Sequence, residues 1–217
     1  MYIFITNPNA RSGLGHKIWD NIETVLKKRG VSYQVYFTKY QQHATKIVRQ
    51  ITSDHERHNI IVLGGDGTVN EVINGIDGLA NVTLGYIPIG SSNDFARGLG
   101  LPADPLKALE NILAPVRHLA INIGVLEYGD KRRRFSVSTG LGFDAGVCHE
   151  VMVSRLKVFL NKIKLGKLSY AGVALHRMAS LDPKDMTVIM DGTRKLDCHK
   201  VYFATAMNLG YEGGGFK

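Results

Sequence analysis

The chain reads as an α/β protein, with an N-terminal three-layer domain built on a parallel sheet and a mainly β half after it. Three observations predict this. Strand-like and helix-like segments alternate through the first half of the 217 residues. The strand ends there carry polar, glycine-rich turns, the places where open parallel sheets bind ligands. After Pro115 the alternation gives way to short strand-like runs.

Tyr2–Thr6 is an apolar run broken at once by Asn7-Pro8 and reads as the first strand. His16–Arg29 has helical periodicity and ends at Gly30. Ser32–Thr38 and His43–Thr52 form the next strand and helix, then Asn59–Leu63 and Thr68–Ile76, with Thr83–Ile89 as the fourth strand. A helix begins near Asn93, and Asp104–Leu113 forms another behind Pro102. Farther on, Val116–Leu126, Arg134–Thr139, Met186–Met190 and Lys200–Ala206 read as strands, with Gly129-Asp130 as a hairpin turn. Helical character is confined to 145–181. This divides the chain into a domain over 1–116 and a partial second domain over 117–217, with a helical insertion near 145–181. The strand Tyr202–Met207 runs into a glycine-rich end that would leave a sheet edge unpaired, so the chain reads as a fragment.

Composition narrows the class. Apolar residues make up 44% and charged residues 21%, ordinary for a soluble globular protein. No apolar run approaches the ~20 residues that span a bilayer. The N-terminus lacks the basic leader of a signal peptide. Cys148 and Cys198 have no CxxC spacing and no His/Cys cluster, which predicts reduced thiols in a cytoplasmic protein and no metal site on them. The formal charge of +8 calls for an anionic partner: ATP, an anionic membrane face or nucleic acid. Nucleic acid is set aside, because the basic residues are not interleaved with a stacking platform of aromatics.

The most informative string is Ile60-Ile61-Val62-Leu63-Gly64-Gly65-Asp66-Gly67-Thr68-Val69-Asn70-Glu71. An uncharged apolar run stops at three glycines set around one aspartate, and a helical pattern follows. Glycines there let backbone N–H groups approach a ligand, and the helix start adds partial positive charge, so the turn suits phosphate. An aspartate inside it makes sense if Mg²⁺ lies between carboxylate and phosphate. The competing reading is a tight strand-to-helix turn with Asp66 capping the helix.

Two further strand ends are polar. Asn7-Pro8-Asn9-Ala10-Arg11-Ser12-Gly13-Leu14-Gly15 offers Asn7, Ser12 and glycine N–H groups to phosphate, or is a structural turn. The other is Gly90-Ser91-Ser92-Asn93-Asp94. His43, at a helix start beside Thr38, either contacts nucleotide or lies on the surface. No Walker A motif is present. Gly140-Leu141-Gly142-Phe143-Asp144-Ala145 has a dinucleotide-like form, but the acidic residue that would hold the ribose is missing from 151–181, so NAD binding there is rejected. The same stretch mixes Arg155, Lys157, Lys162, Lys164, Lys167 and Arg177 with apolar residues. It suits either an anionic membrane interface, aided by Lys131-Arg132-Arg133-Arg134, or a domain-packing helix with a solvated basic face.

Taken together, Asn7-Pro8 with Ser12-Gly13, Gly64-Gly65-Asp66-Gly67-Thr68 with Asn70-Glu71, and Gly90-Ser91-Ser92-Asn93-Asp94-Phe95-Ala96-Arg97 resemble the diacylglycerol kinase catalytic family. The resemblance is strongest to its soluble bacterial lipid kinases; sphingosine and ceramide kinases are relatives. The glycine-aspartate string alone is shared with NAD kinases and phosphofructokinases, and the string from Asn93 to Arg97 favours lipid kinases. The resemblance implies an N-terminal fold of the NAD kinase and phosphofructokinase type, a β-sandwich second domain and an ATP site between them. On it, Gly64, Gly65, Gly67 and Thr68 cradle phosphates, and Asn7, Ser12, Thr38, His43, Glu71 and Ser92 complete the nucleotide site. Asp66 holds Mg²⁺, and Asp94 faces the acceptor hydroxyl or helps organise the metal. The expected activity is ATP- and Mg²⁺-dependent phosphorylation of a lipid hydroxyl, diacylglycerol first, by a cytoplasmic enzyme peripheral to the inner membrane face. Exposed sheet edges would allow a homodimer. The alternatives are phosphorylation of a soluble acceptor such as NAD, or a non-catalytic nucleotide-binding protein.

Two departures from the family pattern stand out. Asn122 occupies the place of a family aspartate before Ile123-Gly124. The late aspartate-glycine turn and the glutamate that serves as base do not occur in the 217 residues, which predicts incomplete nucleotide binding and little turnover.

Overall fold

The computed structural model describes residues 1–142 and 182–213. Strands β1 (Tyr2–Thr6), β2 (Tyr33–Phe37), β3 (His58–Gly64) and β4 (Val82–Pro88) form a four-stranded sheet in the order β2-β1-β3-β4. All three pairings are parallel, with Phe4 opposite Val35 on one side and Ile61 on the other. The connecting helices are α1 (Ala10–Gly13), α2 (Gly15–Lys28), α3 (His43–Thr52) and α4 (Asp66–Gly75). Beyond β4 come α5 (Asp94–Gly98) and α6 (Pro105–Leu113).

Strand periodicity assigns the core. Ile3, Ile5, Ile60 and Val62 point to one face and pack with Ala44 and Val48 of α3 and Val69, Val72 and Ile73 of α4. Phe4, Ile61, Leu63 and Ile87 point to the other, against Trp19, Ile22 and Leu26 of α2 and Leu109 of α6. Phe4 and Trp19 meet edge to face at 5.2 Å. Both faces are covered, so the inner strands β1 and β3 show no polar alternation, while the edge strand β2 alternates half-buried and exposed residues. The chain steps outward from β1 to β2 and then crosses back over β1 to reach β3. The direction of winding therefore reverses between β1 and β3, and their carboxyl ends leave a crevice.

The C-terminal strands are antiparallel hairpins and short pairs. β5 (Gly124–Tyr128) pairs with β6 (Lys131–Phe135), and β8 (Lys184–Met190) with β9 (Arg194–Val201). β7 (Ser138–Gly142) lies beside β10 (Phe203–Met207). The β8–β9 turn carries Asp191 and Gly192, both at positive φ (52° and 70°), as a primed hairpin turn requires. By contact the chain forms two compact units, Met1–Ser138 with Met207–Lys217, and Thr139–Ala206. The sequence boundary at 116 falls inside the first. The β5–β6 hairpin stays with that unit because Arg134 ties it to α4. The Asn74 side chain exchanges two 2.9 Å hydrogen bonds with the Arg134 backbone, and Arg134 Nη1 donates to the carbonyls of Ile73 (3.0 Å) and Ile76 (2.6 Å).

The expected N-terminal elements are found within two residues, with the short α1 as an addition. Farther on, the strand Met186–Met190 and the Gly129-Asp130 hairpin turn are also found, and the other later strands depart from expectation. Of the strand expected over Val116–Leu126, the part before Gly124 is irregular, since Val116 is 95% exposed while Ile121 and Ile123 pack against the first core. The strand expected over Arg134–Thr139 is interrupted at Ser136–Val137, whose carbonyls accept from the side chain and backbone N–H of Asn208. The run Lys200–Ala206 divides between β9 and β10, with Lys200 at a φ of 52°. The helical insertion expected near 145–181, its basic face and Cys148 lie outside the described residues. Cys198 is a half-buried free thiol. Among the described residues no helix is long and apolar enough to cross a membrane.

Candidate functional site

A cavity of about 540 Å³ occupies the crevice at the strand carboxyl ends. Its walls come from four loops: Asn7 and Arg11 after β1, Thr38 to Gln41 after β2, Gly65 to Thr68 with Glu71 after β3, and Gly90 to Ser92 after β4.

The β3–α4 loop is built by close approach. Gly64 ends β3, and its carbonyl accepts the Ile89 N–H at 2.9 Å. A side chain at Gly90 would place its Cβ 2.6 Å from the Gly65 Cα, so these two loops touch backbone to backbone. Gly65 is the N-cap of α4 and supplies no side-chain cap, which leaves the first N–H groups of the helix for another acceptor. A Cβ added at Gly67 would meet nothing within 4 Å, so the glycine there leaves open space at the helix start. The capping role considered for Asp66 is not the observed one: Asp66 is the first residue of α4, and Gly65 is the N-cap.

The carboxylates stand close to this turn. Asp66 lines the cavity, and its Oδ1 accepts the backbone N–H of Phe95 at 3.0 Å. Asp94 is buried at the start of α5 and pairs with Arg97 Nη1 at 2.9 Å. The buried Tyr86 hydroxyl lies 3.3 Å from the Gly64 carbonyl and 3.2 Å from Asn93 Oδ1. Burial first, then the negative charges of Asp66 and Asp94, push its pKa far above the ordinary phenol value, so it stays a neutral donor. Asn93, at a φ of 55°, closes its own loop by exchanging hydrogen bonds with Gly90 (2.8 and 3.0 Å).

Of the expected site residues, Asn7, Thr38, Gly65, Asp66, Gly67, Thr68, Glu71 and Ser92 line the cavity. Asn7 Nδ2 donates to Thr68 Oγ1 at 3.4 Å across the crevice. Glu71 braces the opposite wall: its carboxylate accepts the N–H of Gln42 (2.8 Å) and of Ala44 (3.3 Å), capping α3 from another helix. Gly64, His43 and Asp94 stand outside the lining, and Ser12 follows Arg11 in α1. His43 Nδ1 accepts the Lys39 N–H at 3.1 Å, and its ring stacks on Tyr40. Arg11, Lys39, Tyr40 and Gln41 also line the cavity and were not singled out from the sequence. Their position between Thr38 and His43, or beside Ser12, was the signal available.

Among the described residues, no three His, Cys, Asp or Glu side chains gather as a metal cage. The donor set fits Mg²⁺ all the same, since that ion is usually held by one or two carboxylates together with substrate phosphates and water. Of the carboxylates lining the cavity, Asp66 sits at the helix start and could hold such an ion.

A parallel α/β sheet with an uncapped, glycine-lined helix start at its switch point is an arrangement suited to phosphate. The diacylglycerol kinase catalytic domain model matches residues 1–124, and the chain belongs to that family. It is 31% identical over 223 residues to YtlR of Bacillus subtilis (strain 168), provisionally named a lipid kinase, covering 100% of this chain and 71% of that protein. It is 38% identical over 190 residues to a diacylglycerol kinase of the same organism, covering 87% of this chain and 59% of that one. A crystal structure of a diacylglycerol kinase from Bacillus anthracis str. Sterne aligns with a TM-score of 0.69 at 26% identity, over 100% of this chain and 67% of that one. The chain thus spans 59% to 71% of the length of these relatives.

Proposed function

We propose that this chain carries the nucleotide site of an ATP- and Mg²⁺-dependent lipid kinase whose acceptor is the hydroxyl of diacylglycerol. The observation that carries the reading is the open space over Gly67 at the uncapped start of α4, with Asp66 in the same wall.

In this reading the N–H groups at the start of α4 and the Thr68 hydroxyl receive the phosphates, and Asn7 holds the Thr68 side chain in place. Asp66, steadied by Phe95, holds Mg²⁺, which when bound neutralises phosphate oxygens. Asp94, paired with the guanidinium of Arg97 at 2.9 Å, directs the acceptor hydroxyl. Phosphoryl transfer depends chiefly on such positioning and charge compensation. The net charge of +8 supports work at an anionic membrane surface, at the cytoplasmic face.

The test is incubation of the full-length gene product with γ-labelled ATP, Mg²⁺ and vesicles containing diacylglycerol, with NAD in a parallel tube. Label is expected in the lipid. Label entering NAD alone would replace the lipid assignment with a soluble acceptor, and nucleotide binding without transfer to either would leave a non-catalytic binding protein.

A further inference from the structure

The phosphate end of the cavity is explained by the β3–α4 loop; its other wall, from the β2–α3 loop, is not. Tyr40 lines that wall, and although it is a large apolar side chain it is 54% exposed. Its ring is thus open to water at the edge of the cavity.

The ring is also held in place from behind. It stacks on His43 with centroids 4.5 Å apart and planes 26° from parallel. His43 is fixed in turn by the Lys39 N–H on its Nδ1, and its own N–H closes the turn onto the Tyr40 carbonyl at 3.1 Å. Glu71 accepts the N–H of Gln42, which stands just before His43 at a φ of 66°. Lys39, Tyr40, Gln42 and His43 are thus held before any ligand arrives, which lowers the ordering cost of binding. Lys46 Nζ stands 5.2 Å from the ring centroid, drawn by the electron-rich face. A flat ligand reaching the ring would displace only a solvated lysine head, not a packed side chain.

We propose that Tyr40 is the stacking platform for the base of the nucleotide, so that one end of the cavity reads the triphosphate and the other the heteroaromatic ring. The proposal rests on the nucleotide-site reading above. It adds the wall that separates a nucleotide from a bare polyphosphate. Stacking on a tyrosine face is tolerant of base identity, so the platform supplies affinity for a base in general.

Calorimetric titration of the full-length gene product with ATP and with inorganic tripolyphosphate, each with Mg²⁺, separates the two ends. Tyr40→Ala is expected to weaken ATP by roughly 5- to 100-fold, the range of a lost base–aromatic stack. Tripolyphosphate affinity is expected to stay as it was. Tyr40→Phe keeps the ring and is expected to restore ATP affinity. Equal losses for both ligands in Tyr40→Ala would show that the residue only shapes the loop, and undiminished ATP affinity would show that no base rests on it; either overturns the proposal alone. An unaltered protein that binds neither ligand would overturn the phosphate site itself, and the platform with it.

Discussion

The backbone N–H of Phe95 donates to Asp66 Oδ1 at 3.0 Å, joining the first turn of α5 to the first residue of α4. One carboxylate thereby links the two loops that carry the most informative strings in the sequence. The same loops touch again at Gly65 and Gly90, and a third time through the Tyr86 hydroxyl. Asp66 is therefore both a wall of the cavity and a strut behind it, and substitutions can separate these roles.

Asp66→Asn keeps an oxygen for Phe95 and removes the charge. Thermal stability should hold, while phosphoryl transfer by the full-length gene product should fall by about 10²–10³, the usual effect of losing one preorganised electrostatic contact. Asp66→Ala should show the same catalytic loss and, in addition, cost about 1 kcal/mol of stability by orphaning the Phe95 N–H. Transfer assays and thermal melts on both variants check this; full transfer in Asp66→Asn would remove the carboxylate from the chemistry.

Gly90→Ala should destabilise the N-terminal unit by about 1–3 kcal/mol, because its Cβ would press to 2.6 Å of the Gly65 Cα and backbone cannot swing aside. Urea unfolding measures it. An unchanged midpoint would mean that the two loops do not touch as described.

Tyr86 gives a pH signature. Its folded pKa is raised above the unfolded value of about 10, so the folded state holds the proton more tightly. The corresponding stabilisation is complete below pH ~10 and is lost as pH rises beyond it. Tyr86→Phe should cost about 1 kcal/mol at neutral pH through its lost hydrogen bond, yet flatten the decline in melting temperature above pH ~10. Parallel alkaline declines in both proteins would contradict the buried neutral phenol.

Glu71→Ala strips acceptors from the start of α3 and should cost about 1–2 kcal/mol, as loss of a helix cap does. Glu71→Gln retains one amide oxygen and should cost less. Chemical denaturation of the pair tests whether this residue acts as a brace in the free protein.

The sequence made the parallel sheet and its three polar strand ends readable because buried strands and helix-starting turns leave strong local patterns in Ile60–Leu63 and Gly64–Thr68. It was weaker where tertiary contacts override local pattern. Val116 to Ile123 has the apolar content of a strand, but only Ile121 and Ile123 pack on the first core, and Val116 stays exposed. Asn208 takes the carbonyls that would have extended a ladder through Ser136 and Val137. The Asp191-Gly192 turn was available in the sequence as a hairpin signal, and the strand from Arg194 follows from it. In the site, Asp66 and Thr68 were legible from their motif. The use of Glu71 as a cap for another helix, and of Tyr40 as an exposed ring on the cavity wall, depended on which loops the fold brings together.

The most direct test of the phosphate site is calorimetric titration of Mg-ATP into the full-length gene product and its Gly67→Ala variant, with thermal melts alongside. An added Cβ at Gly67 meets no protein atom within 4 Å, so the variant should melt no lower than the unaltered protein. The account predicts that Mg-ATP affinity nonetheless falls by about tenfold or more, because the methyl takes space that phosphate oxygens would use. Equal affinity in a fully folded Gly67→Ala protein would show that no triphosphate lies over the start of α4.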